Sequence, residues 1–209
     1  MNKTRARLFA DKALQYLQIK YPDTLSWARS IGPNTFRNLR EKQFLYSYCW
    51  VIYASGFKVA VIEAKFPHLQ KAFKDFDPNA LSRMRSIAPV LNVFNNKRKA
   101  ECFLSGAQAI HREGFVSFKR RLRKEGVQAL ESLPGIGPIT KDHLAKNIGL
   151  ADVAKADIWL ERAASLCGAA SVTELTSYLA ESLGESQHVI DVAIWQYGAD
   201  GQFVNFGSG

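Results

Sequence analysis

Two short stretches carry residue types at spacings that chemistry can use. The first is Leu133-Pro134-Gly135-Ile136-Gly137-Pro138, where two glycines stand one residue apart between prolines. Pro138 is placed to be the first residue of a helix, a position at which a missing N–H costs nothing. Gly135 and Gly137 can adopt positive φ and carry no side chain, so successive backbone N–H groups can converge while an anion such as a phosphate comes within hydrogen-bonding distance. A helix starting at Pro138 adds its own free N–H groups and positive dipole end to the same spot. The alternative use of such a stretch is an ordinary turn between two helices. The second stretch is Lys155-Ala156-Asp157-Ile158-Trp159, whose carboxylate follows Gly137 by 20 residues. Asp157 precedes Leu160, Ala163, Ala164 and Cys167, which repeat at helical spacing, so it reads as an N-cap. A carboxylate can equally stabilise a positive charge that develops during a reaction.

The elements that would position these residues are all helical. Val127–Leu133 reads as the helix entering the hairpin and Lys141–Ile148 as the helix leaving it, stopped by Gly149. Helices are expected over 158–167, over 172–183 begun by Ser171 or Thr173, and over 186–198 with Ser186 as cap. At the N-terminus, residues 2–20 alternate so that Leu8, Ala13, Leu14 and Leu17 share a side opposite Lys and Arg. A short helix carrying Leu25, Trp27 and Ala28 precedes the turn Ile31-Gly32-Pro33-Asn34. Residues 36–54 become steadily more apolar and aromatic, which predicts a nearly buried central helix in which Tyr46, Tyr48, Trp50 and Tyr53 need polar partners or pocket roles. Short helical pieces fill 79–94, and 95–110 restarts a helix with a basic first half. The run Phe115–Gly126 holds Lys119, Arg120, Arg121, Arg123 and Lys124, either a solvated helix face or a set of phosphate contacts. Residues 201–209 read as a loose tail. No strand pattern or repeat is visible, so the fold class is all-α.

Composition narrows the function classes. With 209 residues, 47% hydrophobic and 22% charged, the chain can bury a full core as one unit or two small lobes. A net charge of +9 and a pI near 9.5 suit a polyanionic partner, because neutralising phosphates releases counterions. No apolar run approaches the ~18 residues that span a membrane, and the N-terminus does not read as a secretory signal, so a soluble, cytoplasmic protein is expected; a monomer is expected as well. Cys49, Cys102 and Cys167 are too widely spaced for a disulfide framework or a zinc site, and the four histidines form no metal pair. No cofactor is expected.

The hairpin LPGIGP, the helix after it and an Asp at this distance together resemble the helix-hairpin-helix DNA glycosylase superfamily, the group containing the pyrimidine-glycol, adenine-mismatch, 8-oxoguanine and 3-methyladenine glycosylases. The resemblance implies a two-lobed fold with the active site in the cleft between lobes: 36–151 a barrel-like lobe ending in the helix-hairpin-helix at about 127–149, and 1–35 with 152–209 a second lobe. It implies that Gly135, Ile136, Gly137, Thr140 and Lys141 hold the backbone of double-stranded DNA, with Lys119 and Arg120 nearby, and that Asp157 serves base excision after base flipping. The order of features from Trp50 to Pro78, a buried helix, a small-residue turn, a second helix and then FP and FDP breaks, is similar to that of the 3-methyladenine and mismatch enzymes. It puts Tyr53 or Phe57 where relatives carry a wedge that enters the duplex, the other use of both rings being core packing. Trp159, Tyr46 and Trp50 are candidate pocket walls on the same footing. The chain departs from the family at Ile139: strand-cleaving members carry a Lys there, and an aliphatic side chain forms no Schiff base. The resemblance therefore implies a monofunctional, hydrolytic glycosylase. The alternatives are a non-catalytic DNA-binding protein of the same fold and a lyase using a displaced amine such as Lys141 or Lys146. The iron–sulfur cysteines and the zinc site of some relatives are missing from the sequence.

Overall fold

The computed structural model describes residues 1–206, and the last three residues of the expected loose tail lie outside them. In chain order the helices are α1 (Lys3–Lys20), α2 (Pro22–Ser30), α3 (Pro33–Asn38), α4 (Glu41–Ala54), α5 (Val59–Ala72), α6 (Pro78–Arg83), α7 (Ala88–Val93), α8 (Lys97–Glu113), α9 (Phe115–Glu125), α10 (Pro138–Asn147), α11 (Ile158–Leu166), α12 (Val172–Leu183) and α13 (Gln187–Ala199). Short 3₁₀ turns cover Lys74–Phe76, Gly126–Ser132 and Gln202–Asn205, and no strand occurs among the described residues. The fold is all-α. No described helix is long and apolar enough to cross a membrane. The chain divides into two compact units, one made of Met1–Thr35 and the residues from Ala151 onward, the other of Phe36–Leu150.

In the first unit α13 is the central helix. Val189, Ile190, Ala193 and Ile194 are buried against Ala6, Phe9, Ala10, Ala13 and Leu17 of α1 and against Leu160, Ala163 and Leu179 of α11 and α12. On the expected apolar side of α1, Ala13 and Leu17 are buried and Leu14 is partly buried, but Leu8 is 52% exposed, and Phe9 points inward in its place. The reason lies at the far end of the chain. The rings of Tyr197, Phe203 and Phe206 meet Phe9 edge-on at 5.8, 5.1 and 4.9 Å, an arrangement that favours the ring over the smaller leucine. Phe203 and Phe206 are thus packed into the first unit, where a loose tail was expected.

In the second unit α4 is buried as expected, with Phe44, Leu45, Tyr48, Cys49, Val51, Ile52 and Tyr53 all inside. Phe66, Phe73 and Phe76 surround it together with Phe103 from α8 and Phe118 from α9. The Tyr48 hydroxyl donates to the Pro134 carbonyl at 2.6 Å, which ties the Gly-Pro hairpin to this helix, and α8 passes the ring at Gly106, where a Cβ would lie 2.2 Å from the hydroxyl oxygen. Two local expectations are corrected. The helix α5 runs through Pro67 without a break, because Phe66 and Leu69 on either side are both buried and hold it. Residues 126–132 form a 3₁₀ turn and not an α-helix: Gly126 sits at φ 72° and Leu133, preceding a proline, is extended, which leaves too few residues for a stable α-helix.

A hydrogen-bond hub closes the first unit. Asp200 Oδ2 accepts from the hydroxyls of Tyr16 (2.7 Å) and Tyr21 (2.8 Å) and from the Lys20 amine (3.4 Å), joining the turn between α1 and α2 to the end of α13. Partial burial pushes the Asp200 carboxyl upward, but the bonds from Tyr16, Tyr21, Gln196 and Lys20 outweigh it and leave its pKa below the ordinary carboxylate value. A carboxylate whose folded pKa is lowered contributes stability that is present above its unfolded pKa of about 3.9 and is lost as the pH falls through the folded value. The difference in melting temperature between wild type and Asp200→Asn should therefore be constant from pH 7 to about 5 and shrink below about pH 4. Calorimetric scans of both proteins across that range check it, and a difference that persists unchanged at the acid end would show that the charge is not what the hub uses.

Candidate functional site

The hairpin belongs to the second unit. Leu133 closes the 3₁₀ turn by donating to the Leu130 carbonyl, and Ile136 donates back to the Leu133 carbonyl at 3.1 Å. Gly135 occupies φ +81°, and a Cβ on it would come within 3.1 Å of the Cys102 Cβ and 3.4 Å of Ile52, so both conformation and packing require glycine there. Gly137 is different. It is extended, at φ −129° and ψ −172°, and a Cβ would meet nothing within 4 Å. The expectation of positive φ thus applies to Gly135 alone. What glycine supplies at Gly137 is an uncovered backbone.

Thr140 organises the start of α10. Its hydroxyl oxygen accepts the Gly137 N–H at 2.7 Å and donates to the Gly137 carbonyl at 3.3 Å, while the Lys141 N–H closes the first helical turn on that carbonyl at 2.9 Å. Pro138 has no N–H, and among the described residues the N–H groups of Ile139 and Thr140 have no hydrogen-bond partner. These are the orphan donors of a helix N-terminus, beside a half-buried glycine over which nothing packs. Ile136 is buried at 8% exposure and anchors the hairpin, whereas Ile139 is 51% exposed.

The basic residues expected near the hairpin divide into two groups. Lys119 donates to the Arg37 and Leu39 carbonyls at 3.0 Å each and so caps the end of α3, with burial and then Arg123 lowering its pKa. Arg121 forms a two-pronged pair with Glu113, and Lys141 is held by Glu131 at 2.9 Å and by the Pro138 carbonyl at 2.9 Å. These cations are occupied within the fold. Arg120 and Lys124 stay exposed.

The aromatic candidates are also sorted by the packing. Tyr46 is 45% exposed and Trp50 is half-buried, and both meet Phe66 edge-on, at 5.0 and 5.1 Å. Tyr53 is fully buried beside Phe94 and Phe73, so it is core and presents nothing to a duplex in this conformation. Phe57 is 41% exposed at the tip of the turn after α4, backed by Phe94 at 5.0 Å. Sequence reasoning missed Lys99, whose amine lies over the Phe57 ring at 5.4 Å and donates to the Ser55 and Ile52 carbonyls, satisfying the end of α4. Burial lowers its pKa.

Asp157 belongs to the first unit. It is the N-cap of α11: Oδ1 accepts the N–H groups of Trp159 (3.0 Å) and Leu160 (3.3 Å), with the backbone extended at φ −102° and ψ 179°. Its other oxygen, Oδ2, is 2.8 Å from the Lys155 amine, and both side chains are mostly but not wholly covered, at 16% and 19% exposure. The extended segment before it is strapped to α13. Asp152 accepts the N–H groups of Gln187 (3.1 Å) and His188 (3.0 Å), and the buried Asp191 carboxylate accepts the Lys155 N–H. Lys155 and Asp191 were not singled out from the sequence. A signal existed for each: Lys155 and Asp157 are two residues apart, so they share one face of an extended chain, and Asp191 is a lone carboxylate in an otherwise apolar helix. Trp159 packs inward, its edge on Phe203 at 5.6 Å and its rear face against Gly198, where a Cβ would lie 2.6 Å from the ring; Arg162 covers the ring at 5.0 Å. It is a supporting wall of α11. Among the described residues no three His, Cys, Asp or Glu side chains gather as a metal site.

The all-α fold is shared with two DNA glycosylases of known structure. It is similar to the 8-oxoguanine DNA glycosylase of Thermotoga maritima, with a TM-score of 0.62 at 16% identity over 89% of this chain and 93% of that one. It is likewise similar to the Methanocaldococcus jannaschii 8-oxoguanine glycosylase/lyase in complex with a 15mer DNA containing 8-oxoguanine, with a TM-score of 0.57 at 16% identity over 91% and 96%. No family model and no curated protein matches the sequence.

The two hairpin glycines give a direct test of the local geometry. Gly135→Ala should destabilise by about 1–3 kcal/mol through positive φ and the contact with Cys102. Gly137→Ala should be neutral or stabilising by a few tenths to about 1 kcal/mol, since the unfolded chain loses freedom and the folded one loses nothing. Denaturant melts of the two variants read this out, and equal losses would contradict it.

Proposed function

We propose that the protein is a DNA glycosylase that removes a modified base from double-stranded DNA by hydrolysing the N-glycosidic bond, acting as a monomer and without a cofactor. The observation that carries this reading is a capped carboxylate, Asp157, standing 20 residues beyond a hairpin whose Gly137 backbone is uncovered and whose Ile139 and Thr140 N–H groups are unspent. The fold shared with two 8-oxoguanine glycosylases supports it.

The chemistry follows from the residues. A base within a duplex is out of reach, so the nucleotide is rotated out at a cost of about a few kcal/mol, least for damaged or mispaired bases. The Ile139 and Thr140 N–H groups hold the phosphate backbone during that rotation, Gly137 lets it approach, and Arg120 and Lys124 add long-range attraction. Lys141 joins them on leaving Glu131, while Lys119 stays a structural cap. Breaking the C1′–N bond leaves an oxocarbenium-like sugar, which the Asp157 carboxylate stabilises while orienting the incoming water. The N-terminus of α11 holds Oδ1 in place, so Oδ2 is the oxygen turned to the sugar. Tyr46 and Trp50 form the aromatic wall for the extruded base, a surface that favours a flat and electron-poor ring. Phe57 is the wedge that replaces it in the stack. Ile139 carries no amine at the hairpin, so the base leaves by attack of water.

Asp157→Asn keeps the cap, since Asn caps about as well as Asp, and removes the charge. Base release should fall on the order of 10²–10³ in single-turnover kinetics with duplex affinity and folding retained. The substrate is first found with a panel of duplexes, each carrying one modified base and beginning with 8-oxoguanine. Wild-type turnover in the Asn variant would reduce Asp157 to a cap. Duplex binding with no base released from any member of the panel would assign the fold to lesion binding without catalysis.

A second prediction concerns the backbone contacts. Log Kd for duplex DNA should rise steeply with log salt, by about 0.9 per phosphate neutralised. Gly137→Val should weaken modified and unmodified duplexes alike while leaving the melting temperature near that of wild type. Selective loss for one sequence, or a flat salt dependence, would reject a phosphate-holding hairpin.

A further inference from the structure

Hydrolysis leaves one reactive group beside Asp157 without a task, the Lys155 amine. Three observations set it apart from other lysines. Its Nζ is 2.8 Å from Asp157 Oδ2, so any sugar carbon that the carboxylate faces lies within one further contact of this nitrogen. Its backbone is fixed, because the Lys155 N–H is bound by the buried Asp191 carboxylate and the segment is held again at Asp152, so the amine is presented from an anchored strap. It retains 19% exposure, whereas Lys146 is 4% exposed within α10 and the Lys141 amine is held by Glu131 and the Pro138 carbonyl.

The geometry points to Lys155 as the nucleophile of a second activity, capture and cleavage of the abasic site that base hydrolysis produces. The inference rests on the reading that Asp157 faces C1′. The abasic sugar opens to an aldehyde at C1′. Asp157 takes a proton from the Lys155 ammonium, the nitrogen lone pair attacks C1′, and a C1′–N bond forms as the carbonyl oxygen departs in water, giving an imine. The imine draws electrons from C2′, which loses a proton. The C3′–O bond then breaks, and its electron pair leaves on the phosphate oxygen. Water hydrolyses the imine, returning the amine and an unsaturated aldehyde end, so the water released in the first step balances that consumed in the last. No oxidant, reductant or metal is required. The hairpin position occupied by Ile139 is thereby bypassed: excision is hydrolytic, and strand cleavage is a separate step through an amine carried by the strap before α11.

The test uses the whole protein and a duplex containing a preformed abasic site, so it does not depend on base release. Borohydride reduces the imine to a stable amine, and peptide mass spectrometry locates the linked residue in the wild-type protein. The expected result is one adduct, on Lys155, with Lys155→Arg lowering the trapped fraction by about tenfold or more, since a guanidinium stays protonated and forms no imine. An adduct on Lys141, Lys146 or the N-terminal amine, undiminished trapping in the Arg variant, or no adduct at all would overturn the inference. Base release from the modified duplexes is scored separately. Release without an adduct sinks this inference and leaves the glycosylase reading, and an adduct on Lys155 without release from any modified duplex does the reverse.

Discussion

The segment from Ala151 to Asp157 has no helix of its own, and its backbone must still find partners. A buried or half-buried peptide group without a hydrogen bond costs as much as the bond it lacks. Three carboxylates meet that demand. Asp152 caps the start of α13, Asp191 holds the Lys155 N–H from within the same helix, and Asp157 caps α11. The strap is therefore stiff although it is irregular, and the side chains it carries are aimed by α13. Asp191 is nearly fully buried, a placement that charged groups tolerate only with strong bonds to backbone donors or opposite charges. Removing it would loosen the segment that presents Lys155 and Asp157.

A similar division of labour governs the hairpin. Gly135 and the Tyr48 bond to Pro134 shape it from behind, one by a φ that favours glycine and the other by a short hydrogen bond from the buried α4. Gly137, Pro138 and Thr140 shape its outer edge. Because Thr140 consumes the Gly137 N–H, the donors left for an outside ligand are those of Ile139 and Thr140, two and three positions beyond the second glycine. The rigid side and the open side of one turn are thus built from adjacent residues with opposite requirements.

Charge is used twice in this protein. The excess of nine positive charges suits a polyanion, yet several of the cations nearest the hairpin are engaged inside the fold: Lys119 on the α3 carbonyls, Arg121 on Glu113, Lys141 on Glu131. Long basic side chains cover apolar surface and satisfy helix ends as well as facing solvent. Net charge measures the field around a molecule and says little about which residues make direct contacts.

The sequence by itself determined the helical class, the centrality of α4, the cap at Asp157 and the turn at Gly135-Ile136-Gly137. Each depends on interactions within a few residues: apolar periodicity, a carboxylate ahead of helix N–H groups, glycine and proline in breaking positions. Tertiary structure decided the rest. Phe9 rather than Leu8 faces inward because aromatic rings nearly 200 positions away wait for it, which no local window contains. Tyr53 is core because Phe73 and Phe94 both pack on it, whereas Phe57, in the turn beyond α4, meets Phe94 and stays 41% exposed. Residues 126–132 tighten into a 3₁₀ turn because Gly126 and Pro134 bracket too short a span. The partnership of Lys155 with Asp157 lay between. Their spacing was legible, but it becomes a shared face only if the chain is extended there, and that extension is imposed by bonds to α13, 36 residues on: the strap's Asp152 accepts the His188 N–H, and Asp191 of that helix accepts the Lys155 N–H.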